Sequence, residues 1–263
     1  MKKEVEKVIN EILSDFYLKM DVKYTTHSSI NLSLVRYFNF RLKYIDQVPR
    51  KIMISKELLE SLENNKNLNI LSLLHIFNRT ERGLDLNPFQ SKQSFNSNVH
   101  DRLFNDWGIH HLHISHKKNL ENEFFNKRTG PLLFVRFTDD TAYFIDVKSH
   151  HDKDVWSTKD FIRILKNNWP QSIERFEAGF RIYPDLDDSD IGTLRKNGYL
   201  FGINVDEKSY ILLGHGQATS GDNLMATRLA GNIWRWVGQN ISLVQNNKTL
   251  FKFELLKQLC LNY

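Results

Sequence analysis

The chain opens with apolar residues at the spacing of one helix face. This pattern predicts an amphipathic first helix whose buried face carries Val5, Ile9, Ile12, Leu13 and Phe16. The segment 24–44 is rich in aromatic and β-branched residues, so it predicts a strand, paired with a second strand at Lys51–Ile54. The start of the chain is therefore expected to mix helix and strand.

Two further helices are predicted before a polar break. Ser55 precedes an amphipathic run and has the chemistry of a helix N-cap, and a second helical pattern covers 70–77. The stretch 87–98 is polar and contains Pro88, which is typical of a linker. We expect a first region over residues 1–98 on this basis.

The middle of the chain changes to strand patterns. Three strands are predicted at 109–115, 131–137 and 141–148, and the Thr-Asp-Asp sequence between the last two is typical of a tight hairpin turn. A helix follows over 158–168 and ends at Pro170. These elements define a second region, 99–170, built on a small twisted antiparallel sheet packed on helices.

The third region, 171–263, repeats the mixture of strand and helix. A hairpin is predicted from strands at 199–205 and 209–213, and a glycine-rich loop over 214–221 leads into a helix with Asp222 as its N-cap. The loop matches neither common phosphate-binding glycine motif, so it predicts a flexible connection. The predicted fold class is α+β, with additional N- and C-terminal α+β regions around the central sheet.

Composition and charge exclude several classes of protein. The 263 residues are 41% hydrophobic and 25% charged, so the chain is neither disordered nor fibrous. A net charge of +5 permits nucleic-acid binding, and the single cysteine, Cys260, excludes an intramolecular disulfide and a thiolate metal cluster. Because no signal peptide or membrane-spanning run is recognisable, we expect a cytoplasmic protein without membrane attachment.

Histidine placement is the most unusual feature of the sequence. Six of the ten histidines lie in two short stretches, one at 110–116 and one at 150–151. Strand alternation places His111 and His113 on one face, and His150 and His151 follow the strand 141–148. Imidazole titrates near neutral pH and therefore suits proton transfer in phosphodiester cleavage. The alternative is a polar sheet face with no catalytic role.

Two metal-dependent interpretations compete for part of this set. His111 and His113 could bind zinc with Asp146, His150 or Asp152, although no familiar zinc spacing supports it. Asp146-Val147-Lys148 also resembles the second half of the PD-(D/E)xK nuclease signature, which uses magnesium. The acid that those enzymes carry one hairpin strand upstream is missing from 129–135.

The segment 128–156 resembles the core of RelE-type toxins, which are metal-independent ribonucleases. It runs RTGPLLFVRFTDDTAYFIDVKSHHDKDVW, in the family's order of basic residue, apolar strand, acidic turn, apolar strand and a closing stretch with histidine and an aromatic residue. The similarity extends over about 108–165. It implies an RNA substrate, no cofactor and an antitoxin protein as a possible partner. Trp156 stands where the family usually has tyrosine, so it could stack on a base but could not donate a phenolic proton.

The resemblance also implies roles for individual residues. Lys148, His150 and His151 would neutralise charge or transfer protons at the scissile phosphate, and His111 and His113 would be further acid–base candidates. Substrate binding would fall to Arg128, Arg136 and Trp156. We therefore expect a cytoplasmic endoribonuclease of toxin or phage-defence type. A magnesium-dependent DNA nuclease built on Asp146 and Lys148 and a non-catalytic nucleic-acid or protein-binding module stay open as alternatives.

Overall fold

The computed structural model describes residues 2–20, 22, 27–64, 68–119 and 124–259 and confirms the α+β class. The helices are α1 (Lys2–Lys19), α2 (Ile30–Lys43), α3 (Lys56–Asn64), α4 (Ile70–Glu81), α5 (Arg102–Trp107), α6 (Asp160–Asn168), α7 (Asp188–Lys196), α8 (Leu224–Gln239), α9 (Ile241–Asn246) and α10 (Lys248–Gln258). The strands are β1 (Lys51–Ile54), β2 (Ile109–His113), β3 (Pro131–Phe137), β4 (Thr141–Ser149), β5 (Glu177–Ala178), β6 (Gly202–Val205) and β7 (Lys208–Ile211).

The central sheet has four strands in the order β1-β4-β3-β2. Strands β2, β3 and β4 are antiparallel, and the predicted hairpin joins β3 to β4. Strand β1 pairs in parallel with the first half of β4, with Lys51 opposite Thr141. The sheet is therefore mixed, whereas the sequence predicted an antiparallel one.

Each face of this sheet is covered by a different hydrophobic core. On one face Leu112 and Phe144 pack with residues of α3 and α4. On the other face Ile109 and Phe134 pack with α6 and with the second sheet, which has the order β5-β7-β6. Alternate residues of β2 thus point to opposite sides, as strand geometry requires.

The predicted strand within 24–44 is wrong, since residues 30–43 form α2. Ser29 caps this helix by accepting a hydrogen bond from the Leu32 N–H at 3.2 Å. The aromatic and β-branched composition favoured a strand, but burial of one helix face outweighs that local preference. Positions 24–26 of the predicted strand lie outside the described residues.

Residues from the predicted first and third regions share one hydrophobic core. Helices α1 and α2 pack with α8 and α10 through residues such as Leu13, Phe38, Ile233 and Phe251. The tyrosine hydroxyl of Tyr37 also donates to the backbone carbonyl of Leu259 at 2.6 Å. The two ends of the described chain thereby form one helical layer beside the sheets.

The predicted linker at 87–98 is also wrong. Two 3-10 helices, Asn87–Phe89 and Lys92–Phe95, lie in this segment, and Phe89 and Phe95 are buried. Asn87 ties it to the segment that follows α2 by donating to the Ile45 carbonyl. The polar residues of the segment satisfy backbone groups inside the fold. Within the described ranges, every helix is too short or too polar to cross a bilayer.

Candidate functional site

A cavity of about 860 Å³ lies where β2, the segment after β4 and helix α7 meet. Its size is in the range of small-molecule and cofactor sites. The four histidines singled out in the sequence reach this cavity from two sides, together with both aromatic and cationic groups. Its lining includes Lys43, His100, Asp101, Arg102, His111, His113, Arg128, His150, His151, Trp156, Arg195 and Lys196.

His111 and His113 enter from β2. Leu112 between them is fully buried in the core on the other face of the sheet, so the register of the strand fixes both imidazoles toward the cavity. The Thr129 N–H donates to His113 Nδ1 at 3.2 Å. Since Nδ1 accepts this bond, a neutral His113 carries its proton on Nε2.

Burial lowers the pKa of both of these imidazoles. Desolvation is the largest cause for His113, whose pKa falls to about 4, and His111 and Arg128 lower it further. The pKa of His111 is lowered by desolvation too, although the carboxylate of Asp101 opposes that shift. Both residues are therefore neutral bases at neutral pH.

His150 and His151 enter the cavity from the segment after β4, and both are exposed. The ring of Trp156 lies close to one imidazole from each side of the site. Its centroid lies 5.1 Å from that of His111 and 5.1 Å from that of His150, edge-on in both cases. Trp156 therefore links the two groups of histidines through ring contacts.

The charged side chains of the cavity wall are mainly cationic. Five lysine and arginine side chains line it, against the carboxylates of Asp101 and Asp154. Lys43 is buried and donates to the Val99 carbonyl at 2.8 Å, and its burial lowers its pKa to about 8. The positive potential suits an anionic ligand.

Arg136 and Lys148 do not line this cavity, although the sequence grouped them with the histidines. Arg136 is buried on β3, where it donates to the Ser172 carbonyl and packs over Phe176. Lys148 pairs with Asp146 at 2.9 Å in a second cleft beside α3 and α6. The sequence could not exclude a shared surface, because it did not show that β3 separates β2 from β4.

Stacked aromatic rings divide the two clefts. On β3, Phe134 is paired with His111 of β2 on one side and with Asp146 of β4 on the other. Its ring stacks on Phe161 of α6, with centroids 4.4 Å apart. The side chains of His111 and Asp146 are thus kept apart by an apolar pair.

The metal-dependent arrangements find no preformed ligand set. Among residues 2–20, 22, 27–64, 68–119 and 124–259, no three histidine, cysteine or acidic side chains are grouped so that they could hold an ion. Asp146 instead accepts hydrogen bonds from Ser61 and from the Val147 N–H. Its position also separates it from His111 and His113.

Several cavity residues were not found from the sequence. Lys43, His100, Asp101 and Arg195 come from segments far from the histidines along the chain, and no local motif marks them. Asp101 had one signal, since an aspartate before an apolar run is typical of a helix N-cap. It does cap α5, accepting from the Phe104 N–H at 3.0 Å.

Comparisons with protein-family models, with curated proteins and with solved structures find no match for the chain.

Proposed function

We propose that this cavity cleaves RNA by metal-independent acid–base catalysis, in a cytoplasmic endoribonuclease of toxin or phage-defence type. One observation carries the proposal: imidazoles from two separate chain segments line the same cationic cavity. Cleavage through the 2′-hydroxyl needs a base, an acid and positive charge around the phosphate. The described side chains offer each of these groups.

His111 is the best candidate for the base. Its Nδ1 lies 3.7 Å from Oδ2 of Asp101, and the lowered pKa keeps the imidazole neutral. With the proton on Nδ1, facing Asp101, Nε2 is free to accept the proton of a 2′-hydroxyl. The oxygen then bonds to phosphorus as the bond from phosphorus to the 5′ oxygen breaks.

His150 is the best candidate for the acid. Its ring contacts Trp156, as that of His111 does, and its exposure lets it recover a proton from solvent after each turnover. It would protonate the departing 5′ oxygen, so that the products are a 2′,3′-cyclic phosphate and a 5′-hydroxyl end. Arg128 and the Nε2–H of His113 would hold the phosphate oxygens, and Trp156 offers a ring edge to a base.

The decisive experiment is cleavage of single-stranded RNA and DNA of the same sequence by the purified protein, with and without EDTA. We expect RNA cleavage to survive EDTA and to leave 2′,3′-cyclic ends, while the DNA stays intact because it lacks the nucleophile. Cleavage of DNA that requires magnesium would contradict the proposal and direct attention to Asp146 and Lys148. Salt-sensitive RNA binding without cleavage would instead indicate a binding module.

A further inference from the structure

We propose that Arg195, held by Asp106, forms a phosphate-binding subsite of the cavity and so brings helix α7 into the substrate site. The subsite deepens the ribonuclease proposal and rests on it for the identity of the ligand, the backbone phosphate of an RNA strand. No part of the segment that resembles RelE-type toxins supplies this arginine.

Two of the three guanidinium nitrogens of Arg195 are committed to the protein. Nε donates to Oδ2 of Asp106 at 2.6 Å, and Nη1 donates to the backbone carbonyl of Trp156. The guanidinium also lies over the ring of Trp107, 4.0 Å from its centroid. These contacts fix the plane and the orientation of the group.

The third nitrogen, Nη2, has no hydrogen-bond partner among the described residues, and the Arg195 side chain is only 3% exposed. Buried donors are almost always paired in folded proteins, so an unpaired arginine nitrogen needs an explanation. Because Arg195 lines the cavity, an anionic ligand there would supply the missing acceptor.

The location of Arg195 suits a phosphate next to the proposed catalytic groups. Arg195 is bonded to the carbonyl of Trp156, whose ring contacts both His111 and His150. The subsite would therefore hold a phosphate beside the two imidazoles proposed as base and acid.

The planar guanidinium distinguishes this subsite from a general positive surface. The guanidinium can donate to Asp106 through Nε and to a phosphate through Nη2 at the same time, because its nitrogens have fixed directions. A lysine is a point charge that would turn toward Asp106. Arg195→Lys should therefore keep the buried ion pair and lose the phosphate contact. Arg50→Lys is the matched control, because Arg50 is also buried and donates to the backbone carbonyls of Asp46 and Thr138, away from the cavity.

Binding is measured by fluorescence anisotropy with a labelled 2′-O-methyl RNA, which lacks the nucleophile and cannot be cleaved. We expect Arg195→Lys to weaken binding about tenfold or more, the usual value of a hydrogen bond to a charged group, and Arg50→Lys to bind like the parent. Equal affinity of the parent and a folded Arg195→Lys variant would overturn the subsite.

A second variant tests the subsite if Arg195→Lys does not fold. Asp106→Asn with Arg195→Gln removes both charges at similar volume, so no buried charge is left alone. The dependence of log affinity on log salt concentration should become shallower by about 0.7, the contribution of one phosphate contact to a single strand. An unchanged slope in this folded double variant would also overturn the subsite.

The outcome is separable from the ribonuclease proposal. If the parent does not cleave RNA but its binding depends on Arg195, the subsite stands and the catalytic proposal fails. If the parent cleaves RNA and both Arg195 variants bind and cleave equally well, the catalytic proposal stands and the subsite fails.

Discussion

The Nδ1 atom of His111 lies 3.7 Å from Oδ2 of Asp101, too far for a hydrogen bond but within electrostatic reach. Oδ1 of the same carboxylate is held by the Phe104 N–H, so helix α5 orients the group. Asp101, the N-cap of α5, therefore lies beside His111, the proposed base on β2. Closure by less than an ångström on substrate binding would complete an aspartate–histidine dyad, and active sites often tighten in this way.

This relationship predicts the effect of Asp101→Asn. Asparagine caps a helix as well as aspartate does, so the melting temperature should change little. The variant loses the charge that raises the pKa of His111, so that pKa should fall further. Cleavage should decrease by about tenfold or more, and the acidic limb of the pH–rate profile should move to lower pH.

The control for Asp101→Asn is Asp187→Asn. Asp187 is also an N-cap aspartate, on α7, and does not line the cavity. Its variant should keep both the rate and the pH profile of the parent. An Asp101→Asn enzyme with an unshifted acidic limb would show that His111 is not the titrating base.

Alanine substitutions at His150 and His151 separate catalysis from stability. Both side chains are exposed, so each variant should keep its stability within about 0.5 kcal/mol of the parent. We expect at least one of them to lower RNA cleavage about 10²-fold, the usual contribution of a positioned acid or base. His75→Ala is the control, since His75 is an exposed histidine on α4, away from the cavity.

The same comparison extends to His111 and His113 with glutamine, which preserves more of the buried volume than alanine. If all four histidine variants cleave RNA like the parent, acid–base catalysis by this cluster is wrong. Loss of stability with retained specific activity would assign the histidines to the fold.

Acid should destabilise the protein through its buried histidines. Desolvation lowers the pKa of His110 to about 3 and that of His113 to about 4, against 6.5 for an ordinary histidine. Between each lowered pKa and 6.5, the unfolded chain binds a proton that the folded chain does not. The free energy of unfolding therefore falls as pH decreases below 6.5. Each such histidine contributes a slope of about 1.4 kcal/mol per pH unit.

Urea unfolding at pH 7, 6 and 5 measures this slope. His110 lies between the rings of Phe104 and Phe137, on the face of β2 away from the cavity. Its replacement by phenylalanine should therefore make the pH dependence shallower without changing the residues that line the site. A slope equal to that of the parent would mean that His110 is protonated in the folded state.

Local patterns predicted the part of the site that lies within one supersecondary unit. The alternation of 109–115 placed His111 and His113 together, and the Thr-Asp-Asp turn predicted the hairpin that precedes His150. Both depend on neighbouring residues alone, so a single sequence contains the information. That these residues share one cavity depends on strand order, which no local pattern specifies.

The remaining contributors were brought in by tertiary packing. Arg195 and Lys43 reach the cavity from helices more than 40 residues away in sequence from the four histidines that line it, and their immediate sequences resemble ordinary helix surfaces. Strand propensity also misled the interpretation of 24–44, because its aromatic residues serve a helix packed on α8. The position of the cavity residues and the helical structure of 30–43 both depend on packing against segments that are distant in sequence.

Asp222 shows the same dependence on tertiary packing. The sequence assigned it as an N-cap, but Asn223 caps α8 by accepting from the Met225 N–H. Asp222 is buried and instead accepts from Arg36 and from the side-chain amide of Asn39, both on α2. It thereby joins the loop before α8 to the N-terminal helices.

Removal of this carboxylate should therefore cost far more than removal of a cap. Asp222→Ala leaves the partly buried Arg36 guanidinium without its counter-ion, which typically destabilises a protein by about 3–5 kcal/mol, compared with about 1 kcal/mol for a lost cap. Urea unfolding of the parent, Asp222→Ala and Asp222→Asn distinguishes the two roles. Because asparagine is an equally good cap but carries no charge, Asp222→Asn should lose much of the same stability. A stable Asp222→Asn variant would contradict the ion-pair role and return Asp222 to the function of a cap.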